Sequence, residues 1–130
     1  MLNIVSIAMG GAIGAIARYS LGGWLQQVSR SGIFPWGTLG VNLIGAFAIG
    51  VIWGISERFL LSPQVRLFLM VGVLGGFTTF STFCLENLNL LRSGEIRLAL
   101  WNIGLSNVLG LVLVYAGFQL IQRVGNIAVS

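Results

Sequence analysis

Nine residues, Gly75-Gly76-Phe77-Thr78-Thr79-Phe80-Ser81-Thr82-Phe83, interrupt a run that otherwise reads as a membrane-spanning helix. Before them stands Leu67-Phe68-Leu69-Met70-Val71, and after them Cys84-Leu85. Adjacent glycines each cost a helix about 1 kcal/mol against alanine, and two β-branched threonines follow directly. In lipid, irregular backbone survives only where it is buried in protein or lines a polar cavity. Three phenylalanines alternating with hydroxyls at such a break therefore mark a built site, one suited to moving something across the membrane.

Composition agrees with a membrane setting. The chain of 130 residues is 56% hydrophobic and 8% charged, against roughly 25% charged in soluble domains. Its mean hydropathy is +0.95 and its pI about 10.7. Lysine, aspartate and histidine are absent; the seven basic residues are all arginine and the acids are Glu57, Glu86 and Glu95. The arginines are scattered at expected helix ends, which suits snorkelling to headgroups and not nucleic-acid binding. One cysteine, Cys84, permits no intramolecular disulfide, and the lack of histidine argues against ordinary haem, zinc or copper sites. The first 25 residues lack a basic leader and a small-residue cleavage site, so they read as a retained span.

A span needs about 20 mostly apolar residues, and four such segments fit, at about 2–24, 36–55, 65–91 and 96–121. This predicts one all-α domain over residues 1–130, with the third helix broken near Gly75–Thr79. Ser62-Pro63 starts the third span, with proline at a first-turn position. The pairs Gly10/Gly14, Gly50/Gly54 and Gly72/Gly76 let helix backbones approach closely. Trp24, Trp36, Trp53 and Trp101 fall near span ends, as interfacial anchors do.

Several polar residues fall inside spans. Arg18 is the one charge well within them as drawn; either it is a functional intramembrane charge or it snorkels out from a first span that ends beside it. Asn42 sits mid-span with Thr38 one turn earlier on the same face. With Ser106, Asn107, Thr78, Thr79, Ser81 and Thr82 it makes more uncharged hydrogen-bonders than helix association needs, which suggests a polar track. No carboxylate joins that track before Glu86. Cation paths and proton relays use acids, so donors without them favour an anion. Phe80 and Phe83, three apart, share a face and can turn positive ring edges towards an anion, although phenylalanines beside a helix more often only pack.

These residues carry a resemblance. The motif from Gly75 to Phe83, with Glu86 after it, is similar to the signature of the CrcB/Fluc fluoride channels. So are Gly10-Gly11-Ala12-Ile13-Gly14-Ala15 with Arg18, and Pro35-Trp36-Gly37-Thr38-Leu39 with Asn42 and Gly45. The resemblance covers essentially the whole chain, least distinctively in the fourth span. It implies a fluoride-selective channel of the bacterial inner membrane that lowers cytoplasmic fluoride by passive export, with no enzymatic activity and no nucleic-acid partner. It further implies an antiparallel homodimer with two pores and a structural sodium ion at the dimer centre, on the backbone carbonyls of Gly75 and Thr78. By position, Phe80, Phe83, Asn42, Ser81, Thr82, Thr79, Ser106 and Arg18 would border the fluoride path.

Charge distribution fits insertion in both orientations. Arg58, Arg66 and Arg123 fall on the side of the termini; Arg30, Arg92 and Arg97 fall opposite. Orientation follows such a bias, and here none remains. Two other readings compete: a small proton-coupled exporter, which needs a mid-membrane carboxylate, and a non-transporting subunit of a membrane complex, which leaves the broken span unexplained.

Overall fold

The computed structural model describes residues 1–30 and 32–127, with side chains to residue 125. Helix α1 covers Leu2–Val28 and α2 Trp36–Arg58. The third span is assembled from α3 (Pro63–Arg66), a π-helical stretch (Leu67–Leu74), α4 (Gly75–Phe77) and α5 (Phe80–Arg92). Helix α6, Ile96–Ile127, completes the bundle. Among the described residues, four helical segments are long and apolar enough to cross a membrane, with mean hydropathies of 1.5 to 1.9. The chain is a multi-pass, all-helical membrane protein.

The ends of these helices have local causes. Ser62 caps α3, its hydroxyl accepting from the Val65 amide at 3.3 Å, and Pro63 needs no amide partner in the first turn. At the other end of the third span the Glu95 amide returns to the Leu90 carbonyl (2.8 Å) and the Gly94 amide to Leu91 (3.1 Å). That pattern requires a left-handed residue after the helix, and Gly94 supplies it at φ 82°. Helix α1 runs past the expected end near Trp24. Gln26 explains the extension: its Nε2 donates to the Phe34 carbonyl at 3.1 Å, and its Oε1 accepts from the Gly37 amide at 3.0 Å. One side chain thus ties the last turn of α1 to the start of α2.

Glycines bring the backbones together. Helix α1 lies along the first half of the third span and α2 along α6. A Cβ at Gly10 would strike the Phe68 carbonyl, one at Gly14 the Val73 carbonyl, and one at Gly76 the Gly11 carbonyl at 2.6 Å. On the other side, Gly50 meets the backbone of Val114, and Gly117 that of Phe47. The paired glycines of the first and third spans therefore interlock, as small residues at four-residue spacing allow. Arg58 Nη2 donates to the Gln122 carbonyl at 2.6 Å, which sets the end of α2 beside the end of α6.

The break in the third span lies at Thr78–Thr79, two residues beyond the glycine pair. Gly75 keeps helical angles (φ −63°, ψ −36°), and Gly76 serves contact with α1. Thr78 (φ −85°, ψ 158°) and Thr79 (φ −148°, ψ 124°) are extended, in the region that β-branched residues favour. The glycines pack the helix, and the threonines open it.

Replacing Gly14 with alanine forces α1 away from Val73 and should cost about 1–3 kcal/mol, as overpacking does. Gly110→Ala, whose new methyl meets nothing within 4 Å in the chain, should be tolerated. Thermal unfolding in detergent checks both; equal midpoints for the two variants would contradict the interlocked packing.

Candidate functional site

Helices α2 and α6 and the third span build the site. At the break, Asn42 takes the place of helical partners. Its Oδ1 accepts from the Thr79 amide at 2.8 Å and its Nδ2 donates to the Thr79 carbonyl at 2.9 Å. In a continuous helix that amide would return to the Gly75 carbonyl. One amide side chain thus satisfies both backbone groups of the extended residue. The Thr79 hydroxyl then caps α5, accepting from the Thr82 amide at 3.2 Å and donating to Thr82 Oγ1 at 3.0 Å.

A cavity of about 450 Å³ opens beside the break. Asn42, Thr79, Phe80, Phe83, Ser106 and Asn107 contribute to its wall, and no charged residue does. The Phe80 and Phe83 rings lie 5.9 Å apart and tilted by 32°. Phe80 remains 77% exposed in the single chain, so the wall is incomplete on that side. At the same depth α5 begins, and the first amides of a helix, together with its dipole, favour negative charge.

A second cleft, about 560 Å³, lies between α1, α2 and α5. Arg18, Thr38, Thr79, Thr82 and Glu86 line it, so Thr79 borders both spaces. Arg18 is part-buried and points inward: Nη1 reaches the Thr78 carbonyl at 3.5 Å. Helix α1 continues past Arg18 to Val28, so the helix does not end beside that side chain. Thr38 Oγ1 donates to Glu86 Oε1 at 2.6 Å. Glu86 Oε2 is buried and without a hydrogen-bond partner among the described residues.

The structure thus divides the expected single track in two. Phe80, Phe83, Asn42, Thr79 and Ser106 gather at the first cavity, while Arg18, Thr82 and again Thr79 gather at the second. Ser81 is exposed and lines neither. Thr38 and Asn42, one turn apart on α2, face the two spaces separately. Sequence reasoning missed Asn87 and Asn102, which are buried between α5 and α6. Their signal was spacing: Asn87 is four residues after Phe83, and Asn102 four before Ser106.

Asn42→Leu strips partners from both Thr79 backbone groups, and each buried unpaired group costs about 1–3 kcal/mol. Asn107 bonds only the Ile103 carbonyl of its own helix. The Asn42 variant should therefore unfold well below Asn107→Leu in thermal scans; similar midpoints would remove Asn42 from its bracing role.

Comparison with known proteins adds independent evidence. Residues 5–118 match the family model described as CrcB-like protein, Camphor Resistance (CrcB). A protein of Thermus thermophilus named a fluoride-specific ion channel is 49% identical over 114 residues, covering 88% of this chain and 89% of its own. Another of that name from Parabacteroides distasonis is 44% identical over 120 residues, covering 92% and 93%. A third, from Desulforapulum autotrophicum, is 48% identical over 119 residues, covering 91% and 94%. These relatives are named as channels and not as enzymes. With four apolar spans, a broken third helix and this extent of similarity, the chain belongs to the CrcB-like family.

Proposed function

We propose that this protein is a fluoride-selective channel that lowers cytoplasmic fluoride by passive export through a bacterial inner membrane. The observation that carries the reading is the uncharged cavity at the break, where amides, hydroxyls and two phenylalanine rings meet the start of α5. Transferring a bare ion from water to a low-dielectric interior costs tens of kcal/mol by Born solvation. A path for small, strongly hydrated fluoride must replace its water with closely spaced donors. Asn42, whose Nδ2 keeps a second hydrogen, and Ser106 supply neutral donors beside Thr79, and the positive edges of Phe80 and Phe83 border the same space while excluding water. Arg18 and Thr82 belong to a second polar space that shares Thr79, through which the anion enters or leaves. The names of the relatives agree with this ion.

A proton-coupled exporter would have one carboxylate in reach, Glu86. Its Oε1 is held by Thr38, and it lies in the second cleft and not in the phenylalanine-lined cavity. Isoleucine keeps the bulk of Phe80 or Phe83 and removes the ring edge. Either substitution should cut fluoride efflux from proteoliposomes by about tenfold or more, as loss of a path contact worth about 1.4 kcal/mol would. Unchanged efflux in both variants would return the rings to packing.

The same break also suits a cation, on Gly75 and Thr78, two residues that border the first cavity as well. Because the Thr79 amide goes to Asn42, the Gly75 carbonyl loses its regular helical partner. The Thr78 carbonyl takes only a long contact from Arg18 and retains a second lone pair. Neutral carbonyl oxygens suit a hard monovalent cation, so Gly75 and Thr78 would hold a structural sodium ion, which supplies fixed positive charge at the break. The open side at Phe80 calls for a second, inverted copy, which brings two breaks together and completes the wall. Three arginines at each end of the bundle leave the orientation unbiased. Exchanging sodium for a bulky organic cation should shift the purified protein from dimer towards monomer, and reporters fused to the C-terminus should score on both faces. A sodium-indifferent monomer, or a single orientation, would contradict this assembly.

A further inference from the structure

Among the described residues, the two most buried polar side chains are Asn102, 1% exposed, and Asn87, 6% exposed. They join α6 to α5: Asn102 Nδ2 donates to Asn87 Oδ1 at 3.3 Å. Asn87 Nδ2 passes the chain on to the Phe83 carbonyl at 2.8 Å. From the other end, Ser106 Oγ donates to Asn102 Oδ1 at 3.5 Å. All three bonds run in one sense, from Ser106 to the Phe83 backbone. Both terminal residues line the cavity, while the two amides are buried behind them.

The bonds lengthen towards Ser106, and the last, at 3.5 Å, is a long contact beyond the usual range of a hydroxyl donor. This matters for an anion. While Ser106 donates to Asn102, its proton is turned from the cavity; to meet an anion, the hydroxyl must rotate and give up that bond. A helical serine without a side-chain acceptor turns instead to the carbonyl four residues earlier on its own helix. For Ser106 that carbonyl is the one of residue 102. A shorter backbone bond would hold the proton more firmly than the long contact with Asn102 Oδ1 does.

We propose that Asn102 is a positioning residue of the anion path, a role that rests on the channel reading above. Through Asn87 it fixes Phe83 and Ser106 on one wall. Through its own Oδ1 it keeps the Ser106 proton on a weak acceptor, ready to turn to a passing anion. No covalent bond breaks in this step; the hydroxyl turns and exchanges its contact with Asn102 Oδ1 for one with the anion.

Fluoride efflux from proteoliposomes and thermal unfolding, measured together, test the role. Asn102→Leu should slow efflux about tenfold and lower the unfolding midpoint, because Asn87 Oδ1 loses its donor. Should that variant fail to fold, Asn87→Leu/Asn102→Leu carries the test, since removing both partners restores an apolar contact. In it the midpoint should recover while efflux stays low; recovery of both would reduce Asn102 to a packing role and overturn the proposal. In a Ser106→Ala background, adding Asn102→Leu should change efflux by no more than about twofold, because the two act as one unit. Additive losses there would equally overturn it. Wild-type protein without fluoride efflux defeats the channel reading and this role with it. Wild-type efflux matched by Asn102→Leu defeats the positioning role alone.

Discussion

The pair of hydrogen bonds between the Asn42 side chain and the Thr79 backbone, 2.8 and 2.9 Å long, is what allows a helix to stop and restart at membrane depth. Lipid offers no water to satisfy an extended residue, and each unpaired backbone group there costs several kcal/mol. A primary amide presents one acceptor and a donor group in a fixed plane, which matches the N–H and C=O of one extended residue. Serine or threonine at position 42 would be too short to do both. With Thr79 held, its hydroxyl is free to cap α5, and the direction of α5 sets where Phe80 and Phe83 stand.

A broken helix has two new ends of opposite sign. The last carbonyls before the break and the first amides of α5 both point into it, so partial negative and partial positive charge lie within a few residues of each other. Neither needs a charged side chain, and the cavity at the break has none. The glycine contacts between α1 and the first half of the third span bring the backbones so close that a methyl at Gly10, Gly14 or Gly76 would strike a carbonyl of the facing helix. Packing and chemistry are thus coupled through one segment of about a dozen residues.

Much of this was legible in the sequence. The number of spans, the interruption of the third and the pairing of the glycines follow from hydropathy, propensity and spacing alone. The position of the break was not, because glycine weakens a helix and also lets helices touch, and only the neighbouring α1 decides between the two at Gly75–Gly76. The split of the polar residues into two spaces was also hidden. Thr38 and Asn42 share a face of α2, yet Thr38 meets Glu86 on α5 and Asn42 meets Thr79 at the break. Asn87 and Asn102 are separated by a turn of the chain, and no local pattern announces that they meet. The order of the motif, in contrast, was enough to indicate a family, because Gly75 to Phe83 resembles that family's signature.

The central claim is that an anion crosses alone, along neutral donors, with no proton carried in exchange. The direct measurement is fluoride release from liposomes loaded with potassium fluoride and containing only this protein. If passage is passive and uncoupled, release stalls at once as charge accumulates, and proceeds only when valinomycin lets potassium follow. Rapid release without valinomycin, matched by proton movement in fixed proportion, would contradict the account and favour a coupled exporter working through Glu86.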